Sequence, residues 1–353
     1  MIYIGDCLET LRTIESDSID CIVTSPPYWG LRDYGVDGQI GQEPDFRKYI
    51  AKLVEVFEEC RRVLKPSGTC WVNMGDSYTA APVGSFNGGG FKDKSSQTGG
   101  RDLSGVETSG RLDKTKSAGL KPKDLVGIPW RLAFALQEAG WYLRSDIIWH
   151  KPNPMPESVR DRPTKAHEYL FLLTKSQRYY YDADAIAEPA LYVGDDRGSR
   201  SDSRRGTAYN SMSGVTGATK NARTVWEIGA RLEDVAQEIA DYALECSGMV
   251  NPDLILEAIS IQVPDRTVWR MATTPTKEAH FATFPPELPK RCILAGCPEG
   301  GTVLDPFAGS GTTLMVAKQL GRKWVGIELN PEYAEMARKR VEGVTGSLFE
   351  DGL

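Results

Sequence analysis

The sequence contains Thr24-Ser25-Pro26-Pro27-Tyr28-Trp29 directly after a short apolar run, Asp20-Cys21-Ile22-Val23. The apolar run predicts a strand buried in a parallel sheet, and the two prolines end it because proline fixes the backbone and lacks an N–H donor. The turn therefore lies at the carboxyl edge of the sheet, where open α/β sheets bind ligands. A serine oxygen, nearby carbonyl groups and two aromatic faces suit a planar ring that carries an amino group.

A second motif lies far downstream, where Asp305-Pro306-Phe307-Ala308-Gly309-Ser310-Gly311-Thr312-Thr313 follows the apolar run Thr302-Val303-Leu304. Its glycines allow the backbone to approach a ligand closely. Ser25-Pro26-Pro27-Tyr28 resembles the catalytic motif of the amino-directed DNA methyltransferases, and the downstream motif resembles their S-adenosylmethionine-binding loop. The order, with the catalytic motif first and the cofactor motif last, is that of the β class of these enzymes.

The resemblance implies an α/β fold with a seven-stranded, mostly parallel, Rossmann-like methyltransferase sheet. Residues 1–185 are predicted to form the catalytic half of the methyltransferase domain, and residues 270–353 the cofactor-binding half. Between them, residues 186–269 are predicted to form a target-recognition region with a helical insertion at 227–265. A circular permutation is expected, because no strand follows the last helix and Ile2–Ile4 must then flank the ribose-binding strand. A flexible glycine-rich stretch, 79–120, is interpreted as a disordered linker or a loop that closes on DNA.

Apolar periodicity and turn residues predict the individual elements of this fold. Strands are predicted at Ile2–Ile4, Asp20–Val23, Cys70–Met74, Arg144–Trp149, His167–Leu173, Thr302–Leu304 and Trp324–Leu329. Helices are predicted at Asp45–Leu64, Leu125–Ala139, Pro289–Ala295, Thr312–Leu320 and from Pro331 onwards.

The cofactor implied by the resemblance is S-adenosylmethionine. Glu328 closes a strand about twenty residues after the glycine-rich turn, where a Rossmann-like unit places the carboxylate that binds ribose hydroxyls. The resemblance puts Asp6 near the adenine and Phe284 against the cofactor, although Asp6 could also be a helix N-cap and Phe284 a hydrophobic staple. The predicted cofactor-binding residues are Asp6, Cys7, Thr24, Phe284, Asp305, Phe307, Gly309, Ser310, Gly311, Thr312 and Glu328.

Four residues, Ser25, Pro26, Pro27 and Tyr28, are predicted to be catalytic. Hydrogen bonds from an exocyclic amino group to the Ser25 Oγ and the Pro26 carbonyl draw its lone pair out of conjugation, and the nitrogen then attacks the methyl group directly. Proximity and orientation supply most of the rate. The base must leave the duplex, at a cost of a few kcal/mol, and stack on Tyr28. No catalytic cysteine is needed, and the sequence lacks the Pro-Cys arrangement of carbon-5 enzymes.

Double-stranded DNA is the partner that the resemblance implies. Trp149 and Lys151 fall within Asp146–Leu173, which resembles the family's target-base pocket, although Trp149 could be a core residue. Residues 193–224 carry arginines without periodicity, which suits phosphate contacts or a solvated loop. The predicted substrate-binding residues are Trp29, Arg32, Tyr34, Trp149, Lys151, Arg197, Arg204 and Arg205.

The target base is interpreted from the first motif residue. Ser25 resembles the residue of cytosine-N4 enzymes, whereas adenine-N6 enzymes more often have Asp or Asn there, so cytosine N4 is favoured and adenine N6 is the alternative. Two further alternatives are methylation of RNA or a small aromatic amine, and a non-catalytic DNA-binding protein. A homodimer and a cognate restriction endonuclease are both compatible with the sequence.

Composition sets outer limits on these hypotheses. The chain has 353 residues, of which 41% are hydrophobic and 25% charged, as in ordinary globular proteins. The net charge of −6 argues against a protein that coats DNA indiscriminately. Seven scattered cysteines favour reduced thiols over zinc or disulfides. We expect no metal, no signal peptide, no membrane span and a cytoplasmic protein of a prokaryote or phage.

Overall fold

The computed structural model describes residues 1–31, 35–36, 38–79, 119–152, 154, 157, 159–189, 219–220, 225–226 and 284–344. Several predictions lie outside these residues. They concern the glycine-rich stretch up to residue 118, the helical insertion at 227–265, and the side chains of Arg32, Tyr34, Arg197, Arg204 and Arg205. The division into three segments stays a prediction.

One eight-stranded sheet organises the described part of the chain. In spatial order its strands are β1 Ile2–Ile4, β10 Lys323–Glu328, β9 Thr302–Asp305, β2 Ile19–Thr24, β3 Leu64–Met74, β5 His167–Thr174, β4 Tyr142–His150 and β8 Val225–Trp226. Every neighbouring pair is parallel except the two pairs that involve β5. The seven predicted strands are all present, so the mostly parallel α/β sheet is confirmed, and the two-residue β8 adds an eighth strand at one edge. Two further short strands, β6 Glu188–Pro189 and β7 Thr219–Lys220, form a separate antiparallel pair.

The position of β1 confirms one prediction about topology. Ile2 pairs with Gly326 and Ile4 with Glu328, so β1 lies parallel to β10 at the edge of the sheet. The pairing brings residues from the two ends of the sequence to the same carboxyl edge. Circular permutation, which is a statement about the order of elements in relatives, stays a prediction.

Helices cover both faces of the sheet. Their bounds are α1 Cys7–Thr13, α2 Phe46–Val63, α3 Ile128–Glu138, α4 Glu287–Gly296, α5 Thr312–Gln319 and α6 Pro331–Glu342, with a short 3₁₀ turn at Asp184–Ile186. Most ends lie within two residues of the prediction, because the sequence carries the caps: Asp45 accepts from the Arg47 N–H and Asn330 from the Glu332 N–H.

Helix α3 begins three residues later than predicted. Gly127, at φ 76°, turns the chain immediately before it, and the side chain of Asp76 accepts from the backbone N–H groups of Gly127 and Ile128. The cap therefore comes from the end of β3 and not from the local sequence.

Two apolar layers enclose the sheet. On one face, α1, α2 and α3 pack against alternate strand residues such as Ile22 and Val72, and on the other α4 and α5 pack against Cys21 and Trp71. All six residues of β2 are buried, which explains why its centre, Cys21-Ile22-Val23, is apolar at consecutive positions and does not alternate. No helix in the described part of the chain is long and apolar enough to cross a membrane.

Strand β3 differs from its prediction. It begins at Leu64, six residues before the predicted start, and includes Pro66-Ser67-Gly68, residue types that usually end an element. The preceding helix, α2, ends at Val63. The register against β2 shifts between Ile19 and Cys21, and this irregularity accommodates the proline.

Candidate functional site

A pocket of about 210 Å³ opens at the carboxyl edge of the sheet, where β2, β9 and β10 end side by side. The proline turn after β2 forms one wall and the glycine-rich loop after β9 forms another. Thirteen predicted site residues line it: Asp6, Cys7, Ser25, Pro26, Pro27, Tyr28, Phe284, Asp305, Phe307, Gly309, Ser310, Thr312 and Glu328. Motifs that are far apart in the sequence therefore share one cavity, as predicted from their position at the carboxyl ends of strands in one sheet.

The structure places the other described candidates away from the cavity wall. Trp29 is 1% exposed, its ring packs edge-on against Phe46, and its Nε1 donates to the Glu43 carbonyl. Trp149 is 3% exposed. Both indoles belong to the core, so the interpretation of Trp29 as a free stacking surface has to be corrected. Its burial results from its contact with α2.

The pocket also has walls that the sequence did not indicate. Four residues that follow the proline turn in the sequence contribute: Val36, Gly38, Gln39 and Ile40. Tyr333, in the first turn of α6, contributes from the opposite side. Only its place shortly after Glu328 could have pointed to it.

Two threonines tie the strand ends together. The Thr24 hydroxyl donates to the Asp305 Oδ1 at 2.7 Å, across 281 positions of sequence, and the Thr313 hydroxyl donates to the Val23 carbonyl at 3.3 Å. The Phe307 N–H also donates to the Asp305 carboxylate. Burial raises the pKa of Asp305 to about 6, since these donors only partly replace water. Thr24 therefore lies behind the pocket and fixes the two motifs relative to each other.

The glycine-rich loop is held by Glu328. One carboxylate oxygen accepts from the Gly309 N–H at 2.8 Å, and the other accepts from the Asn330 N–H at 2.9 Å. Burial raises the pKa of this carboxyl group above its ordinary value. Gly311 has φ 79°, and a Cβ added there would lie 2.7 Å from the Cβ of Ala337. The loop thus needs glycine both for its backbone conformation and for the close approach of α6.

Arg340 supports the loop from α6. Its Nη1 donates to the Ser310 carbonyl at 2.8 Å, to the Ser310 hydroxyl at 2.7 Å and to the Thr312 hydroxyl at 3.2 Å. Burial lowers the pKa of Arg340. No signal in the sequence indicated this contact, because an arginine in the last turn of a helix is usually solvated.

Asp6 is the N-cap that the sequence allowed, and its predicted place near the adenine of the cofactor stays a prediction. Its Oδ1 accepts from the Glu9 N–H at 3.0 Å, so it caps α1, and its residue also lines the pocket. The backbone N–H of Gly5 donates to the Glu328 carbonyl and keeps this corner beside the glycine-rich loop.

The proline turn is held by side chains from distant strands. The Ser25 hydroxyl donates to the Asn73 Oδ1 at 3.3 Å, and the Tyr28 hydroxyl lies 3.3 Å from the same atom. The Asn73 Nδ2 donates to the Tyr169 carbonyl at 3.1 Å, which fixes the orientation of the amide because a carbonyl can only accept. Asn73 must therefore present its oxygen to the turn, and Ser25 must be the donor in their contact.

The two proline carbonyls differ in their partners. The Pro27 carbonyl accepts from the Tyr49 hydroxyl at 2.7 Å. Among the residues that the structure describes, no donor binds the Pro26 carbonyl. Pro26 lines the pocket, so its carbonyl is a candidate acceptor for a ligand.

Behind the turn lies a charged pair, Glu168 and Lys151. The Tyr28 hydroxyl donates to the Glu168 Oε2 at 2.6 Å, and the Lys151 Nζ donates to the Glu168 Oε1 at 2.5 Å. The Lys151 ammonium also lies 4.4 Å from the centroid of the Trp149 ring. Burial, followed by the charge of Glu168, raises the pKa of Tyr28 well above its usual range. Lys151 is therefore engaged inside the protein and does not line the pocket.

Cys7 is the one cysteine that lines the pocket among the described residues. Burial raises the pKa of its thiol to about 12, so the thiol stays protonated at neutral pH and is a poor nucleophile. The described residues contain no group of three or more His, Cys, Asp or Glu side chains that could hold a metal ion.

Comparisons with known proteins agree in the class of protein they indicate. The model of a DNA methylase family matches residues 19–339. The type II methyltransferase M.SmaI of Serratia marcescens is 44% identical over 340 residues, which cover 96% of this chain and 90% of that protein. The type II methyltransferase M.Cfr9I of Citrobacter freundii is 43% identical over 342 residues, covering 97% and 87%. The solved structure of PvuII DNA methyltransferase (cytosine-N4-specific) has a TM-score of 0.53 at 17% identity, covers 98% of this chain and 87% of its own, and is alike in fold alone.

Proposed function

We propose, from the premise that this chain belongs to the DNA methylase family, that it transfers a methyl group from S-adenosylmethionine to the N4 amino group of cytosine in duplex DNA. The observation that carries the proposal is the direction of the Ser25 hydroxyl. Its hydrogen is directed to the Asn73 oxygen, so its lone pairs remain to accept a hydrogen from an amino group in the pocket.

The residues of the pocket fit S-adenosylmethionine. Phe284 and Phe307 offer apolar surface for an adenine, and Glu328 offers a carboxylate that retains acceptor capacity for ribose hydroxyls beside its two backbone partners. The backbone of Gly309 has open space where a Cβ would stand, so a ligand can approach it closely. When bound, the cofactor supplies an electrophilic methyl group.

Ser25 and Pro26 are proposed to activate the amino group. The Ser25 Oγ and the Pro26 carbonyl each accept one of its hydrogens, which holds the group in the pocket and weakens the conjugation of the nitrogen lone pair with the ring. Transfer would break the bond between the methyl group and the sulfonium sulfur, release the cofactor as a neutral thioether, and leave the nitrogen to lose one hydrogen as a proton to solvent. Proximity to the methyl group accounts for most of the remaining rate. A covalent route through Cys7 is disfavoured, because its thiol is protonated at neutral pH.

The assignment of cytosine rests on Ser25, since both target bases present a similar amino edge. An adenine-N6 enzyme is therefore the second candidate, and its support is the same pair of acceptors. Tyr28 is proposed to contact the extruded base, and Arg32, Tyr34, Arg197, Arg204 and Arg205 are proposed to contact DNA. A homodimer, a cognate endonuclease and the separate recognition region at 186–269 stay predictions.

Mass spectrometry of nucleosides tests the proposal. Plasmid DNA would be incubated with the protein and isotopically labelled cofactor, digested to nucleosides and compared with DNA incubated without protein. Labelled N4-methylcytosine is the expected product. Labelled N6-methyladenine would keep the methyl-transfer mechanism and overturn the choice of base, and no labelled base in DNA would overturn the proposal.

A further inference from the structure

We propose that Glu168 is a positioning residue that takes the proton of Tyr28 and thereby leaves the oxygen of Asn73 to Ser25. The inference rests on the proposed function, in which Ser25 must accept a hydrogen from the amino group. It concerns the direction of three hydrogen bonds behind the proline turn.

Tyr28 has one hydroxyl hydrogen, and the two acceptor oxygens that it contacts belong to Glu168 and Asn73, with the Ser25 hydroxyl as a further neighbour. The Tyr28 oxygen lies 2.6 Å from the Glu168 Oε2 and 3.3 Å from the Asn73 Oδ1. Hydrogen bonds to a carboxylate are shorter and stronger than those to a neutral amide oxygen. The hydrogen therefore points at Glu168, and the Asn73 oxygen is left to receive the hydrogen of Ser25 at 3.3 Å.

Lys151 and Gly75 hold Glu168 in this place. The Lys151 ammonium binds the Oε1 of Glu168, and both side chains are mostly buried, at 22% and 15% exposure. On the other side, a Cβ added at Gly75 would lie 2.6 Å from the Cε2 of Tyr28 and 3.3 Å from the Cδ of Glu168. The ring and the carboxylate thus pack directly on the backbone at Gly75, which leaves them little room to reorient.

Replacing Glu168 by Gln reverses the direction of the chain of hydrogen bonds. A glutamine has one acceptor oxygen and one NH₂ group, and Lys151 can bind only the oxygen because an ammonium has no lone pair. The NH₂ group then faces Tyr28, whose hydroxyl must accept from it and turn its own hydrogen to Asn73. The Asn73 oxygen has two lone pairs and can accept both hydrogens. Two donors on one oxygen weaken each other, however, so the Ser25 hydroxyl is held less firmly and its lone pairs lose their fixed direction.

The experiment is a double-mutant cycle of Glu168→Gln and Tyr28→Phe, with single-turnover methylation of duplex DNA as the readout. Glu168→Gln should lower the rate at saturating cofactor about tenfold, the size expected for one misdirected hydrogen bond. Its Kd for S-adenosylmethionine should stay near that of the wild type. In the Tyr28→Phe background, which has no hydroxyl to reverse, Glu168→Gln should change the rate little.

One control variant separates this role from a structural one. Glu157→Gln removes a charge from a carboxylate on the preceding loop, which is bound to Arg162 at 2.6 Å, and should not lower the rate. A rate loss from Glu168→Gln that is equal in both backgrounds would overturn the inference, as would a wild-type rate or a parallel loss of cofactor binding. The cycle can be measured on whichever base the wild type methylates, so its failure is distinct from failure of the proposed function.

Discussion

The glycine-rich loop and the proline turn face each other across one pocket but are built in different ways. The loop, residues 305–313, is shaped by its own glycines and by Glu328 and Arg340 from the elements that follow it. The turn, residues 24–29, is shaped by Asn73 and Glu168, which lie 48 and 140 positions from their partners in the turn. The half proposed to bind the cofactor is therefore mostly local in sequence, whereas the half proposed to activate the base is assembled from distant strands.

The largest effect is expected from Ser25→Ala, which acts on the turn alone. Loss of one acceptor for the reacting amino group should lower the methyl-transfer rate on the order of a hundredfold to a thousandfold, as loss of one aligned hydrogen bond does at other active sites. Cofactor affinity, measured by calorimetry, should stay near that of the wild type.

Ser67→Ala is a suitable control for this variant, because Ser67 is an exposed serine of β3. A fall in cofactor affinity as large as the fall in rate would show that the two halves of the pocket are not separable at Ser25.

The next largest effect is expected from Gly311→Ala, which acts on the loop. Alanine at φ 79° is strained, and its Cβ would meet the Cβ of Ala337 at 2.7 Å. The backbone strain and the steric clash together should lower the free energy of unfolding by about 2 to 4 kcal/mol. Gly309 has φ 51° and open space where a Cβ would stand. Gly309→Ala therefore has the backbone strain without the steric clash, and it should lower the free energy of unfolding by less. Urea unfolding measures both, and equal losses would refute the role of α6.

Asp305, which joins the two halves, should make stability depend on pH. Its folded pKa is about 6, above the ordinary 3.8, because of burial. Between these values the folded state keeps a proton that the unfolded state has lost, so stability falls as the pH rises from about 4 to 6, by about 2 to 3 kcal/mol. Asp305→Asn can still accept from Thr24 and should remove this part of the slope. The free energy of unfolding of the wild type and of Asp305→Asn would be measured over that pH range. An equal change with pH in both proteins would contradict the prediction.

A smaller effect is expected from Arg340→Met, which removes the support of the loop without changing its glycines. The Ser310 and Thr312 oxygens lose their donor, and cofactor affinity should fall about tenfold. Lys339→Met makes the same change of charge on the exposed side of α6, where the ammonium lies 3.8 Å from Glu335, and should leave affinity unchanged. Equal affinities for both variants would mean that the support is not needed.

The same division explains how much could be predicted from the sequence. The seven strands, the pairing of Ile2–Ile4 with the strand of Glu328, and the meeting of the two motifs in one pocket follow from apolar runs and from the rule that parallel strands share a carboxyl edge. These signals are local, since each motif is continuous along the chain.

The remaining features depend on contacts that no local pattern shows. Asn73 and Glu168 are ordinary strand residues until the order of strands brings them beside the proline turn. The burial of Trp29 depends on where α2 packs, so an aromatic residue of the core could not be told from a stacking surface. Lys151 carries a charge that suits DNA, yet its partner is Glu168.

The separation of the two halves is tested most directly by measuring cofactor Kd and single-turnover rate side by side for Ser25→Ala and Glu328→Gln. A glutamine at 328 has one acceptor for the two N–H groups of Gly309 and Asn330, so it should weaken cofactor binding about tenfold and keep the rate at saturating cofactor near that of the wild type. Ser25→Ala should show the reverse, with intact binding and a slow transfer. If both variants lose binding and rate to the same extent, the pocket works as one unit and the division proposed for it is wrong.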